Sequence, residues 1–349
     1  MSYLHKINAI GHLLPTIFDG IACSAIHDAY SRAKPSGKLP QEPCFVASLV
    51  KYGVQQIKQE LDTVFIGTGV QVATTGVFCH QSPMVKFKHN GKTFRCELGD
   101  IMFVHVHKDK AGFVQRNALL LQAKMTALSK LKKSIPTAEQ HQLSLYQYWP
   151  KFTYDMTGDP LHGKSRTITP HTRHAGAQYL LIDSATQFSG ATLPTGQYSM
   201  AVWMAETPLY TSLSFGNALF NFLTMGSGRQ FSAKSMAKGW SNVVWDLIEN
   251  GLKKGFTRTR TGHFPTQGSR MSGSPIPSYA YFSMGFGQPT QSIVTEIFGN
   301  LSVKLTCAND DGSIPPDFFA HLDSQDPARG IGLVLIETDE SQIGEDFDE

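Results

Sequence analysis

Between Gly67 and Lys124 the chain reads as four consecutive strand-like runs, and the last of them, NALLLQAK, is apolar almost without a break from Ala118 to Leu121. A strand with alternating polarity can leave one face in water. A continuously apolar one needs cover on both faces, so this run predicts the centre of a layered α/β fold. The runs before it, VQVATTGVFCH, MVKFKHN and KTFRCELGDIMFVHVHK, are rich in β-branched and aromatic residues, and Asn90-Gly91 is the expected hairpin turn between two of them.

The cover is written on either side as helical periodicity. Residues 16–33 place Ile17, Ile21, Ile26 and Tyr30 at mostly helical spacing before three prolines in KPSGKLPQEP break the helix. Cys44 to Phe65 reads as one amphipathic helix with Phe45, Leu49, Tyr52, Ile57 and Leu61 on its apolar stripe. After a short turn through Leu128 and Leu131, a further helix begins near Thr137 and runs through AEQHQLSLYQYW. Beyond Tyr154 the expected strands are QYLLID, YSMAVWMA and GIGLVLIET, with helices near SFGNALFNFLTM and GWSNVVWDLIENGLKK. Residues 267–287 read as a surface loop or flap.

Charge points to the kind of partner. The 349 residues carry a net charge of only +3, but the stretch from Glu337 onward holds seven acids and no Lys or Arg, which leaves +10 on residues 1–336. A basic body with an acidic tail suggests polyanion affinity. Five scattered cysteines without a CxxC pair argue against a disulfide framework or a zinc knuckle and for a reducing, cytoplasmic compartment. The N-terminal stretch is interrupted by His, Pro and Asp19, so no secretion signal is expected, and no run of 18 apolar residues predicts a membrane span. The absence of a P-loop, GxGxxG or GxSxG pattern counts against an NTPase, a dinucleotide enzyme or an α/β hydrolase. His105-x-His107 and His171-x-x-His174 lack a convincing third ligand nearby and are read as structural or surface residues.

Chemistry concentrates at two strand ends. Cys96-Glu97-Leu98-Gly99-Asp100 and Leu121-Gln122-Ala123-Lys124 put polar groups on strands that otherwise look buried. With a strand period of two, Gln122 and Lys124 share a face. A carboxylate for a hard divalent cation, an amide oxygen beside it and a lysine to orient water or offset phosphate charge are the needs of phosphodiester hydrolysis. Gln142 and Tyr146, four apart, share a helix face that can turn to the same place.

The order Asp100, then Gln122-x-Lys124 on the next strand, then a helix with Gln142-x-x-x-Tyr146, resembles the PD-(D/E)XK, or restriction-endonuclease-like, nuclease superfamily, and the last motif its RecB-like branch. The resemblance covers roughly residues 42–155 and departs from the common pattern at Gln122, where a second acid is usual. It implies a mixed sheet flanked by helices over 42–155, preceded by a helical segment (1–41) and followed by an α+β accessory domain (156–336) and the acidic tail (337–349). It also implies DNA cleavage with Mg²⁺ or Mn²⁺, in a setting such as prokaryotic antiviral defence or restriction, with a partner subunit or homo-oligomer as regulator. Asp100, Gln122, Lys124, Gln142 and Tyr146 then become catalytic candidates. Asp100, Gln122, Glu97 and a helix acid, Glu60 or Glu42, become metal candidates. Lys130, Lys132 and Lys133, together with Lys253 and Lys254, become candidate DNA contacts. The rival expectation is an inert nuclease-like subunit that binds nucleic acid or assembles without cutting.

Overall fold

The structure is a computed structural model that describes residues 3–9, 11–33, 39–79, 83–126, 132–133, 135–170, 176–183, 200–203, 209–210, 213–259, 279–283 and 331–340. The chain opens with helices α1 (Tyr3–Ala9), α2 (Leu14–Ala33), α3 (Glu42–Ser48) and α4 (Val54–Phe65), the last two joined by a π-helical turn, Leu49–Gly53. The single helix expected over 44–65 therefore contains one widened turn. Its extra residue keeps Phe45, Leu49, Val54, Ile57 and Leu61 all in the core.

Strands β1 (Gln71–Cys79), β2 (Met84–His89), β3 (Lys92–Glu97), β4 (Ile101–Lys108) and β5 (Val114–Thr126) follow, then the two-residue β6 (Lys132–Lys133), a 3₁₀ turn (Thr137–Glu139) and α5 (Gln140–Tyr148). The remainder supplies β7 (Phe152–Tyr154), β8 (Ser165–Arg166), β9 (Ala177–Asp183), β10 (Met200–Trp203), β11 (Leu209–Tyr210), β12 (Leu213–Ser214), α6 (Phe215–Leu223), β13 (Arg229–Gln230), α7 (Trp240–Thr259), β14 (Tyr279–Ser283) and β15 (Ile331–Asp339).

The main sheet runs β12-β10-β9-β5-β4-β15-β1-β14, with β13 also paired to β5, at Asn117 and Ala118. It is mixed: β15 is parallel to β4 and β9 to β5, while the other pairs are antiparallel. A second sheet, β3-β2-β7-β8, stands apart. Helices α1 to α4 and α6 pack on one face of the main sheet through Phe18, Phe45, Leu61, Phe222 and the alternate residues Phe103, Leu121 and Ile336. Helices α5 and α7 and the inner face of the small sheet cover the other through Tyr146, Trp149, Val244, Phe87 and Tyr154 against Val104, Leu120 and Leu335. The continuous burial of β4 from Ile101 to His107 follows from this double cover.

Three expectations change. The run KTFRCELGDIMFVHVHK divides at Leu98–Asp100: β3 belongs to the small sheet and β4 to the main one. Tyr279–Ser283, inside the stretch read as a loop, pairs with β1, and the rest of 267–287 lies outside the described residues. The boundary at 155/156 runs through hydrogen-bonded strands, because β9 pairs with β5 and β15 lies between β4 and β1. The acidic tail likewise begins inside the sheet, with Glu337 opposite Val106. A central strand drawn from the far end of the chain leaves no mark in local sequence. No single helix among the described residues is long and apolar enough to cross a membrane.

Candidate active site

Asp100 sits at the corner where the chain leaves the small sheet for the main one. Its N–H donates to the Leu121 carbonyl at 2.9 Å, and its own carbonyl accepts from the Gly332 N–H at 2.7 Å, so the start of β4 is held from both neighbouring strands. Gly99 makes the corner possible, since a Cβ there would stand 2.6 Å from Cδ1 of Leu120. Along β4 the period of two places Asp100 on the face of Met102 and Val104, the face that α5 covers. Gln122 and Lys124 share that face on β5, in phase with Ala118 and Leu120.

The side chains converge there. Oδ2 of Asp100 accepts from the Ala123 N–H at 2.8 Å and from the Gln122 side-chain amide in close contact. The Gln122 side-chain carbonyl in turn accepts from Nε2 of Gln142, which also donates to the Glu97 carbonyl at 3.1 Å. One turn along α5, the buried Tyr146 hydroxyl donates to the Leu98 carbonyl at 2.8 Å. Gln142 and Tyr146 thus act as a pair of pins on consecutive carbonyls of the corner that presents Asp100. Gln122 links pin and carboxylate, with its nitrogen toward Asp100.

Lys124 stands beside them, its side chain 17% exposed, with Nζ 3.0 Å from a carboxylate oxygen of Glu139. Glu42, at the start of α3, accepts from the Met125 N–H at 3.1 Å and so reaches the same strand end from the opposite layer. Burial, then the Glu97 and Glu42 carboxylates, hold the Asp100 carboxyl well above the usual range, against the Ala123 N–H and the Lys124 ammonium, which lower it. For Lys124, burial works against the charge, but Glu42, Glu139 and Asp100 outweigh it and raise the ammonium above its ordinary value.

The structure therefore brings Asp100, Gln122, Lys124, Gln142, Tyr146 and Glu97 together. Of the two helix acids, Glu42 reaches this strand end. Glu60 lies on α4, which packs on β1, two strands from β4 and in the opposite layer. Glu139 is the member that sequence reading missed, although it stands three residues before Gln142, a spacing that places both on one helical face. Of the proposed DNA contacts, Lys130 lies outside the described residues, as do the side chains of Lys132, Lys133, Lys253 and Lys254. His105 and His107 sit at the far end of β4, both hydrogen-bonded to the Thr338 hydroxyl, at 3.1 and 2.9 Å.

Among the described residues no three His, Cys, Asp or Glu side chains form a ready metal cage. The donor chemistry nevertheless fits a hard cation. Asp100 offers an oxygen donor of the kind such a cation takes, and its ionisation is opposed by burial and by the Glu97 and Glu42 carboxylates and favoured by the Lys124 ammonium. Both described bonds to the Asp100 carboxylate fall on Oδ2. Comparison of the chain with family models, with curated proteins and with solved structures finds no match.

Proposed function

We propose that the protein is a metal-dependent nuclease of the restriction-endonuclease-like kind, acting on DNA at the Asp100 cleft. The observation that carries this reading is the meeting, at the ends of β4 and β5, of the buried Asp100 carboxylate, bonded by the Ala123 N–H and by Gln122, and of Lys124, paired with Glu139, with the surroundings opposing the charge of the first and favouring that of the second. A structural aspartate is usually placed where its charge is welcome. One held against its charge is a candidate for function.

Asp100 and Glu97 are the carboxylates assigned to hold the cation. Bound Mg²⁺ or Mn²⁺ supplies Lewis-acid polarisation of the phosphate and a more acidic water. Lys124 offsets negative charge developing on the phosphate, and Glu139 with Glu42 keeps its ammonium charged. Gln122 fixes the rotamer of Asp100 through its amide hydrogen, while Gln142 and Tyr146 hold the corner rigid. In this arrangement Gln122 is a positioning residue whose oxygen is already engaged by Gln142, a change from the role of metal ligand first expected of it.

That engagement also favours a second reading, a nuclease-like subunit that binds nucleic acid without cutting it. Incubation of closed circular single-stranded and double-stranded DNA with the protein and Mg²⁺, Mn²⁺ or chelator separates the two. The nuclease reading expects cleaved circles in Mg²⁺ or Mn²⁺ and intact circles in chelator. Intact circles under every condition, with binding retained, select the second.

A further inference from the structure

The small sheet β3-β2-β7-β8 turns Val85, Phe87, Cys96, Phe152 and Tyr154 into the core, so its alternate positions form an outer face. That face carries Lys86 and Lys88 on β2 and Thr93 and Arg95 on β3, all exposed. Lys86 lies directly opposite Arg95 on one side and Thr153 on the other, and the ladder to β7 ends at Phe87 and Phe152, beyond which come exposed Lys88 and exposed Lys151. Like charges directly opposite one another in a sheet are destabilising. Asp155 offsets one of them, through a 2.7 Å ion pair with Arg95. Lys86, Lys88 and Lys151 have no ion-pair partner among the described residues.

The period of two adds Glu97 to the same side of β3 as Thr93 and Arg95. At about 3.4 Å per residue, the row containing Arg95 stands roughly 7 Å, and the row containing Thr93 roughly 14 Å, from Glu97 along the strand. Asp100 follows three residues later. The face is thus cationic away from the Asp100 corner and acidic where it meets it, with hydroxyls among the cations: Thr153, in the row of Arg95 and Lys86, shares a hydrogen bond of 2.8 Å with Ser165. A row of lysines interleaved with hydroxyl donors suits phosphate oxygens, and its direction leads a bound strand to the carboxylates.

We propose that the outer face of this sheet is the docking surface for the phosphate backbone of duplex DNA, with Lys86, Lys88 and Lys151 as its phosphate contacts. The proposal extends the nuclease reading by naming where substrate lies, and its test does not depend on cutting. The measurement is fluorescence anisotropy of a labelled DNA duplex in chelator, over a range of KCl concentrations, for the wild type, the Lys86→Gln/Lys88→Gln/Lys151→Gln variant and the control Lys110→Gln, at the opposite end of β4. With three phosphate-binding charges removed, the slope of log binding constant against log salt becomes shallower by about 2.7, and binding at low salt weakens at least about tenfold. The control leaves both unchanged. A triple variant that keeps the wild-type slope and affinity, a control that changes as much per charge, or a wild type that does not bind duplex overturns the proposal. If the triple variant loses binding in a protein that cuts nothing in Mg²⁺, docking stands and the nuclease reading fails. If the protein cleaves and its triple variant binds normally, the nuclease reading stands and docking fails.

Discussion

Replacing Asp100 with Asn is expected to stabilise the protein at neutral and alkaline pH while removing its activity. Asn keeps the shape of the side chain, and its one oxygen in the place of Oδ2 still accepts from both the Ala123 N–H and the Gln122 amide, so the cost is the weakening of two bonds to a neutral acceptor, ~1 kcal/mol. Against this stands the charge. Burial, Glu97 and Glu42 raise the folded-state pKa of Asp100, so between the unfolded value, about 3.9, and the raised one the native state binds more protons than the unfolded chain. Native stability owed to this group is then greatest in acid and falls as pH rises, by up to about 1.4 kcal/mol per pH unit, until the raised pKa is passed. The substituted amide has no proton to lose over this range.

Denaturation by urea in chelator, from pH 4 to 8.5, therefore gives two curves that start close together or with the variant slightly weaker. They cross as pH rises, the variant ending above. Titrating groups that do not interact with Asp100 cancel in the difference, so what remains belongs to Asp100 together with Glu97, Glu42 and Lys124. An Asp100→Asn variant that is less stable at every pH, by an amount independent of pH, refutes the reasoning and makes Asp100 an ordinary structural carboxylate.

Glu42→Gln is expected to cut the cleavage rate at least tenfold while Glu60→Gln leaves it unchanged, because only the first carboxylate reaches the strand end of Lys124; equal effects in a gel assay contradict the placement. Gln122→Glu sets a second carboxylate against Asp100, a repulsion of about 4 kcal/mol at 4 Å if both are ionised in a medium of intermediate dielectric, so one proton is retained until a cation displaces it. Calorimetry should find tighter Mn²⁺ binding than in the wild type, with protons released on binding, and unchanged or weaker affinity contradicts it. At the other end of β4, burial and then His107 hold the His105 imidazole down at about 3, so the unfolded chain takes up its proton first and stability falls as pH drops from 6.5 toward 3, by about 1.4 kcal/mol per unit. His105→Gln should flatten the acid limb of the stability curve despite the nearby His107, Tyr3 and Glu340. An unaltered limb shows that another group governs acid unfolding.

What could be read from the residues was local. Apolar runs and turn signals located the strand region from β1 to β5, with β3 and β4 read as one run, the helix carrying Gln142 and Tyr146, and the polar strand ends at Asp100 and Gln122-x-Lys124, because each depends on period and composition over a few residues. The identity of the small sheet was hidden, since the step from β3 to β4 through Leu98–Asp100 contains only one glycine and no proline to announce a change of sheet. The insertion of β15 between β4 and β1 was equally hidden, because pairing across more than two hundred residues has no local signature. Gln122 was legible as a departure from an acidic pattern, but its role required coordinates. Its amide is turned by Gln142 on one side and Asp100 on the other, and a one-dimensional motif does not specify which atom faces the carboxylate.

The most direct test is the rate of the first nick in closed circular duplex DNA under single-turnover conditions with Mn²⁺, for the wild type, Asp100→Ala and Lys124→Ala. Removing a charged group that acts on the scissile phosphate is expected to cost about 10²-fold or more in rate. The account predicts nicking by the wild type that chelator abolishes, and a loss of at least that size in both variants with the native fold retained by circular dichroism. Wild-type nicking rates in either variant, or no nicking by the wild type with either metal, contradict the assignment of this cleft as a nuclease centre.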